Sequence, residues 1–206
     1  KIKSFLFISF LIINASENIT APTVTFKIGN KDIAPIVNGN DSYYIARYTV
    51  INGDNGIVNN ISISNYLDDA GNIGSTVTSL TNGSTITVDT SLPAINSLTI
   101  FSNNSSSNLA KKDDTITLLI VANEIITIPT VSFKINDDDI DPIVNGSGNT
   151  YTATYTVVSG QNGIVKDFSI SNFSDITGNI GLTVTELTSG STVTVDTILP
   201  TLNSVT

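Results

Sequence analysis

Thr130-Val131-Ser132-Phe133-Lys134-Ile135 alternates polar and apolar residues without a break, and the turn-forming run Asn136-Asp137-Asp138-Asp139 follows it. A period of two places every second side chain on one face, which is the pattern of a half-buried strand and not of a helix. The residues around it repeat the theme. A short strand is expected near Ile140 to Val144, then a turn at Asn145-Gly146-Ser147-Gly148. Tyr151-Thr152-Ala153-Thr154-Tyr155-Thr156-Val157 alternates again, Gly160-Gln161-Asn162-Gly163 turns the chain, and Val165 to Phe173 predicts another strand. Thr183 to Leu187 and Thr192 to Val195, split by Ser189-Gly190, are the last strand pieces. Upstream, Thr115 to Val121 predicts a central buried strand and residues 95–101 an opening one, with the polar loop Asn103 to Asn108 between them. No helical period is present. Seven or so short strands separated by regular turn signals imply an all-β, immunoglobulin-like (Ig-like) Greek-key β-sandwich. With neither Cys nor Trp in the chain, its core must rest on Phe133, Tyr151, Tyr155, Phe168 and the aliphatic residues.

The unit occurs twice. Residues 22–99 align without a gap on residues 129–206, and 49 of the 78 positions are identical. Pro35-Ile36-Val37-Asn38-Gly39 returns as Pro142-Ile143-Val144-Asn145-Gly146, Gly71-Asn72-Ile73-Gly74 as Gly178-Asn179-Ile180-Gly181, and Thr87-Val88-Asp89-Thr90 as Thr194-Val195-Asp196-Thr197. An offset of 107 residues exceeds a solenoid repeat of roughly 20–50 and matches a whole domain of roughly 100. The expected organisation is a copy over 1–90 that lacks its opening strand, a complete copy over 91–197, and a linker with the start of a third copy over 198–206. Each joint is marked by a proline, Pro93 and Pro200, which ends a strand and stiffens the link.

Composition limits the chemistry. Cys, Met, Trp and His are all absent, so disulfides and Cys or His metal sites are excluded. Oxygen ligation remains, and it suits calcium. A net charge of −9 with scattered basic residues argues against a nucleic-acid backbone as partner. There is no phosphate-binding glycine loop, no G-x-S-x-G elbow and no His or Cys nucleophile system, so the chain is expected not to be an enzyme.

Residues 1–21 carry two readings. Lys1-Ile2-Lys3 before Phe5 to Ile13 has the form of a signal peptide. Alternatively, Ile8-Ser9-Phe10-Leu11-Ile12 falls opposite Ile116-Thr117-Leu118-Leu119-Ile120 with one inserted residue, and Ala15 to Ile19 opposite Val121 to Ile125. This makes the run the central strand of the first copy. It is too short for a membrane-spanning helix, which needs about 20 apolar residues.

Three elements recur in fixed order: Ala15-Ser16-Glu17 and Ala122-Asn123-Glu124; Asp68-Asp69-Ala70-Gly71-Asn72 and Asp175-Ile176-Thr177-Gly178-Asn179; Val88-Asp89-Thr90-Ser91-Leu92-Pro93 and Val195-Asp196-Thr197-Ile198-Leu199-Pro200. Together they resemble the bacterial Ig-like tandem repeats of large surface adhesins. Asn123 departs from the usual serine, and Ile198-Leu199 from the usual small residues. The resemblance implies an extracellular, cell-surface segment that acts as stalk or adhesive surface, with neighbouring repeats as partners and calcium stiffening some joints. In such a sandwich Glu124 and Asp175 would face the preceding junction, where Asp89 lies, with Asn179 beside them. One Ca2+ held by Asp89, Glu124 and Asp175 would relieve their mutual repulsion. The competing reading is that D-x-x-G-N is a good turn and nothing more. Asp137-Asp138-Asp139 becomes Asn30-Lys31-Asp32 in the other copy, which marks it as a solvated hairpin tip. Two roles remain open at this point. One is a stalk of near-identical spacers. The other is a module binding a glycan or protein, for which the diverged loop Asn40-Asp41-Ser42-Tyr43-Tyr44 would be the place to look.

Overall fold

A computed structural model describes residues 7–205, with side chains from Leu11 onward. The chain forms two compact units that divide between Ser91 and Leu92. Every regular element among the described residues is a strand. The first unit holds β1 (Phe7–Asn14), β2 (Thr23–Ile28), β3 (Lys31–Ile33), β4 (Ile36–Asn40), β5 (Tyr43–Thr49), β6 (Gly56–Ser64) and β7 (Thr87–Val88). The second holds β8 (Ile95–Ser102), β9 (Leu109–Ala110), β10 (Thr115–Ala122), β11 (Thr130–Ile135), β12 (Asp138–Ile140), β13 (Ile143–Ser147), β14 (Thr150–Thr156), β15 (Gly163–Ser171) and β16 (Thr194–Val195).

The second unit is a β-sandwich. One sheet runs β13-β14-β10-β8 and the other β12-β11-β15-β16-β9. Neighbours are antiparallel except β16 and β9. This is the Greek-key strand order of an immunoglobulin-type sandwich. The alternation that defines the strands also defines the core. In β10 the burial alternates residue by residue, and Ile116, Leu118 and Ile120 are fully buried. They form one cluster with Leu98 and Ala153 from their own sheet and Phe133, Ile135, Val165 and Ile170 from the other. Phe133 meets Tyr155 edge-on at 6.3 Å, a favoured aromatic geometry. The Tyr151 hydroxyl donates to the Ile126 carbonyl at 2.7 Å, which settles the one polar atom on a buried ring.

Among the described residues, the first unit repeats the order with fewer strands. Its sheets run β1-β5-β4 and β3-β2-β6-β7, and the Tyr44 hydroxyl donates to the Ile19 carbonyl at 2.7 Å, as Tyr151 does to Ile126. Phe7–Asn14 is thus the counterpart of β10; Lys1-Ile2-Lys3 lie outside the described residues. The insertion is located by pairing. Ile8 and Ser9 face Tyr48 and Arg47 while Leu11 faces Ala46, so Phe10 is the extra residue, held in a β-bulge. Leu11, Ile13 and Ala15 therefore take the places of Leu118, Ile120 and Ala122. This corrects the register expected from sequence, which set Ile12 against Ile120 and Ala15 against Val121.

Two further expectations change. The single short strand near Ile140 to Val144 is two strands in different sheets, because Pro142, which has no N–H to give to a ladder, stands where the chain crosses between them. Thr183 to Leu187 is not a strand. It crosses the open side of the sandwich: Val184 exchanges backbone bonds with Ile170 of β15, and the Thr188 amide donates to Leu98 of β8 at 2.9 Å. Val184 makes only an isolated bridge, so no ladder forms.

Candidate functional site

The Asp-x-x-Gly-Asn loop is densely hydrogen-bonded in each copy. In the second unit Asp175 is buried, at 3% exposure, and forms an isolated bridge with Ile126. Its Oδ1 accepts the Thr177 amide and hydroxyl, each at 2.8 Å, and the Asn179 amide at 2.9 Å; its Oδ2 accepts the Asn179 side-chain amide at 2.7 Å. Gly178 closes the loop at φ +94°, a conformation that side-chain-bearing residues rarely adopt. Burial opposes the charged form of Asp175, but the Asn179 and Thr177 donors outweigh it and hold the carboxyl below its usual range. Asp68 repeats the design, accepting the Ala70 and Asn72 amides at 2.9 and 2.8 Å and the Asn72 side chain at 2.7 Å. Those bonds, the Asn72 side chain foremost, likewise lower its pKa. Gly181, two residues beyond the loop, lies so close to the Phe173 ring that a Cβ there would come within 2.0 Å of it; Gly74 stands in the same relation to Tyr66.

Turn chemistry therefore accounts for the loop itself. It does not account for Glu124. A carboxylate oxygen of Glu124 lies within 4.8 Å of one on Asp175, so two acids converge at one end of the second unit, with Asn179 in the same loop. Asn123, next to Glu124, exchanges two bonds with Ala94: its amide donates to the Ala94 carbonyl at 2.9 Å, and its Oδ1 accepts the Ala94 amide at 2.8 Å. The departure from serine noted at this position thus gains a role, since Asn123 pins the chain where it enters the unit.

Asp89 belongs to the first unit, one residue past β7, and accepts the Ser91 amide at 2.9 Å. Thr90 beside it is held by the Asn55 side chain at 2.7 Å. Asp196, Thr197 and Asn162 reproduce this in the second unit, with the Ile198 amide on Asp196 at 2.9 Å and the Thr197 amide on Asn162 at 2.8 Å. The Val-Asp-Thr motif is thus a strand-exit turn in both copies. The acids of Asp137-Asp138-Asp139 lie on an exposed hairpin, where Asp137 pairs with Lys166 and Asp139 with Lys134, each at 3.4 Å.

Two further polar networks carry no sequence motif. In the first unit Asp54 is buried and accepts Lys31 at 2.5 Å, Tyr48 at 2.8 Å and the Ile51 amide at 2.9 Å. Burial works against its charge, yet these donors keep its pKa lowered. In the second unit Gln161 takes that place, accepting the Val158 amide and donating to Tyr155, while Asp138 stands at the position of Lys31. The coupled exchange of Asp54 with Lys31 for Gln161 with Asp138 was visible in the repeat alignment. The other network is Asp114, which accepts Asn104 at 2.7 Å and the Lys111 amide and ammonium at 2.9 and 3.0 Å. Led by Asn104, these lower its pKa to about 2.

No protein-family profile matches this chain, and no curated protein or solved structure is similar to it. Among the described residues, no helix is long and apolar enough to cross a membrane.

Proposed function

We propose that this chain is a non-catalytic stalk segment of an extracellular, repetitive surface protein of the adhesin kind, and that one calcium ion stiffens the joint between its two units. The observation that carries the calcium reading is the convergence of Glu124 with the buried, charged Asp175 at the end of the second unit where Asn123 holds Ala94. Two carboxylates in that position repel, and a cation between them would relieve the repulsion. Asp89 is five residues before Ala94, so the chain tethers a third carboxylate within roughly 17 Å of Ala94 at full extension. Oxygen donors alone, with acids in excess and an Asn179 amide in the same loop, are a hard-cation set. The stalk reading draws its support from the repeat itself: near-identical units with the same strand-exit turn suit a spacer.

Isothermal titration of the chelator-stripped chain with calcium tests this. The expected result is one site per chain, with affinity lowered at least about tenfold in both Asp89→Ala and Glu124→Gln. Asp89→Asn, which keeps an oxygen acceptor for the Ser91 amide while removing the charge, should also lower the affinity yet leave the melting temperature in chelator little changed, which separates ligation from folding. Absence of calcium binding, or binding indifferent to both substitutions, would overturn the proposal.

A further inference from the structure

An asparagine followed by glycine is prone to spontaneous deamidation, because glycine leaves its amide nitrogen open to the side chain before it and lets the backbone turn onto that side chain. The chain has six such pairs: Asn38-Gly39, Asn52-Gly53, Asn55-Gly56, Asn82-Gly83, Asn145-Gly146 and Asn162-Gly163. The reaction needs the glycine nitrogen to swing against the asparagine Cγ, so a strand ladder or a bonded side chain restrains it. Gly39 and Gly146 lie in β4 and β13, paired with Tyr44 and Tyr151, and a Cβ there would come within 2.2 and 2.4 Å of a backbone oxygen of the partner strand. Asn55 and Asn162 hold the Thr90 and Thr197 amides through Oδ1 at 2.7 and 2.8 Å, and Gly56 and Gly163 pair with Val88 and Val195. The Gly53 amide donates to the Thr90 hydroxyl at 2.9 Å. Asn82-Gly83 differs from all of these. Both residues are exposed, they belong to no strand, and Gly83 takes φ +140°. This exposure does not depend on what lies along β1, since the counterparts Ser189 and Gly190 are exposed in the second unit too, where β8 is in place. Serine has no side-chain carbonyl carbon for an amide to attack, so the second unit lacks the reaction at this position.

We infer that Asn82 is a site of self-modification, deamidating through Gly83 ahead of the other asparagine-glycine pairs. The Gly83 nitrogen bonds to the Asn82 Cγ, the Cγ–Nδ2 bond breaks, and Nδ2 leaves as ammonia with the proton that Gly83 gives up. The cyclic succinimide then takes up one water from solvent at either of its carbonyl carbons. Opening at Cγ gives aspartate. Opening at the main-chain carbonyl gives isoaspartate, in which the backbone runs through Cβ. Either product adds a negative charge to the first unit of a chain whose net charge is already −9. The two copies therefore diverge chemically with age, at a position where one carries the reactive asparagine and the other the inert Ser189.

Ageing the intact folded chain at mildly alkaline pH, with its proteolytic peptides read by fragmentation mass spectrometry, tests this. Asn82 should gain the mass of an NH-to-O exchange, as aspartate and isoaspartate, at least about tenfold faster than Asn38, Asn55, Asn145 or Asn162, whose backbones must open locally first. Asn52 should also lag behind Asn82. In denaturant the six pairs should converge on similar rates, which separates restraint by the fold from the reactivity of the dipeptide itself. Asn82→Ser, which copies Ser189, should remove the fast phase and leave the slow ones in place. A folded chain in which Asn82 is stable, or in which another of the six reacts first, overturns the inference. So does an order of rates that denaturant leaves unchanged.

Discussion

Val193 and Ile86 hold the same place in the two copies, yet Val193 is fully buried and Ile86 is 42% exposed. Ile170 against Ile63 and Phe173 against Tyr66 differ in the same sense, the first of each pair being fully buried and the second only partly so. The side chains are nearly the same, so the difference lies in what covers them. β8 closes one edge of its sheet, and through Leu98 it ties down the segment from Val184 to Val193 that roofs the sandwich. Among the described residues no strand pairs with the outer edge of β1, and the segment from Val77 to Ile86 is exposed. The comparison teaches that the folding information of this repeat is not spread evenly. In the second unit β8 is what joins an ordinary set of apolar residues into a continuous core.

The sharpest way to break the comparison is Leu98→Ala. It removes the most deeply buried side chain that β8 gives to the cluster, and should cost the second unit about 2–5 kcal/mol. Calorimetry should show that unit's transition falling toward that of the first unit, whose own transition stays in place. A smaller effect is expected from exchanging the polar networks. Lys31→Asp places a second acid against buried Asp54 and should destabilise the first unit, while adding Asp54→Gln, which copies Gln161 and Asp138, should recover most of the loss. A double-mutant cycle that came out additive would show that the two positions do not communicate. The smallest effect is a pH dependence. With its folded pKa lowered to about 2 against about 3.9 for a free aspartate, Asp114 stabilises the second unit fully above the unfolded value. That contribution declines as pH falls through this window and is gone below the folded value. Asp114→Asn should flatten the acid limb of the second unit's unfolding curve and leave that of the first unit unchanged.

Much of this was legible in the residues, for reasons that also explain the rest. Thr130 to Ile135 and Tyr151 to Thr156 announce themselves because each lies along a sheet with one face in the core, so period two survives in the sequence. Thr183 to Leu187 has the same alternation and is not a strand, since alternation records which side chains face inward and not which backbone partners are in reach. Pro142 was the signal for a sheet crossing between β12 and β13. The Asp-x-x-Gly-Asn loops were legible as turns because their donors are local. Asp175 and Glu124 are 51 residues apart, and their approach depends on the sandwich as a whole. Asp54 stayed hidden because a lone aspartate among turn residues carries no mark of burial. The swap of charge with Gln161 and Asp138 was the only trace it left.

The claim that one strand sets the two copies apart is tested most directly by amide hydrogen exchange on the intact chain, read at aligned pairs in a single sample. The Thr188 amide, bonded to Leu98, should exchange about a hundredfold or more slowly than that of Thr81, and the same order should hold from Val184 to Val193 against Val77 to Ile86. Equal protection at these pairs would contradict the account.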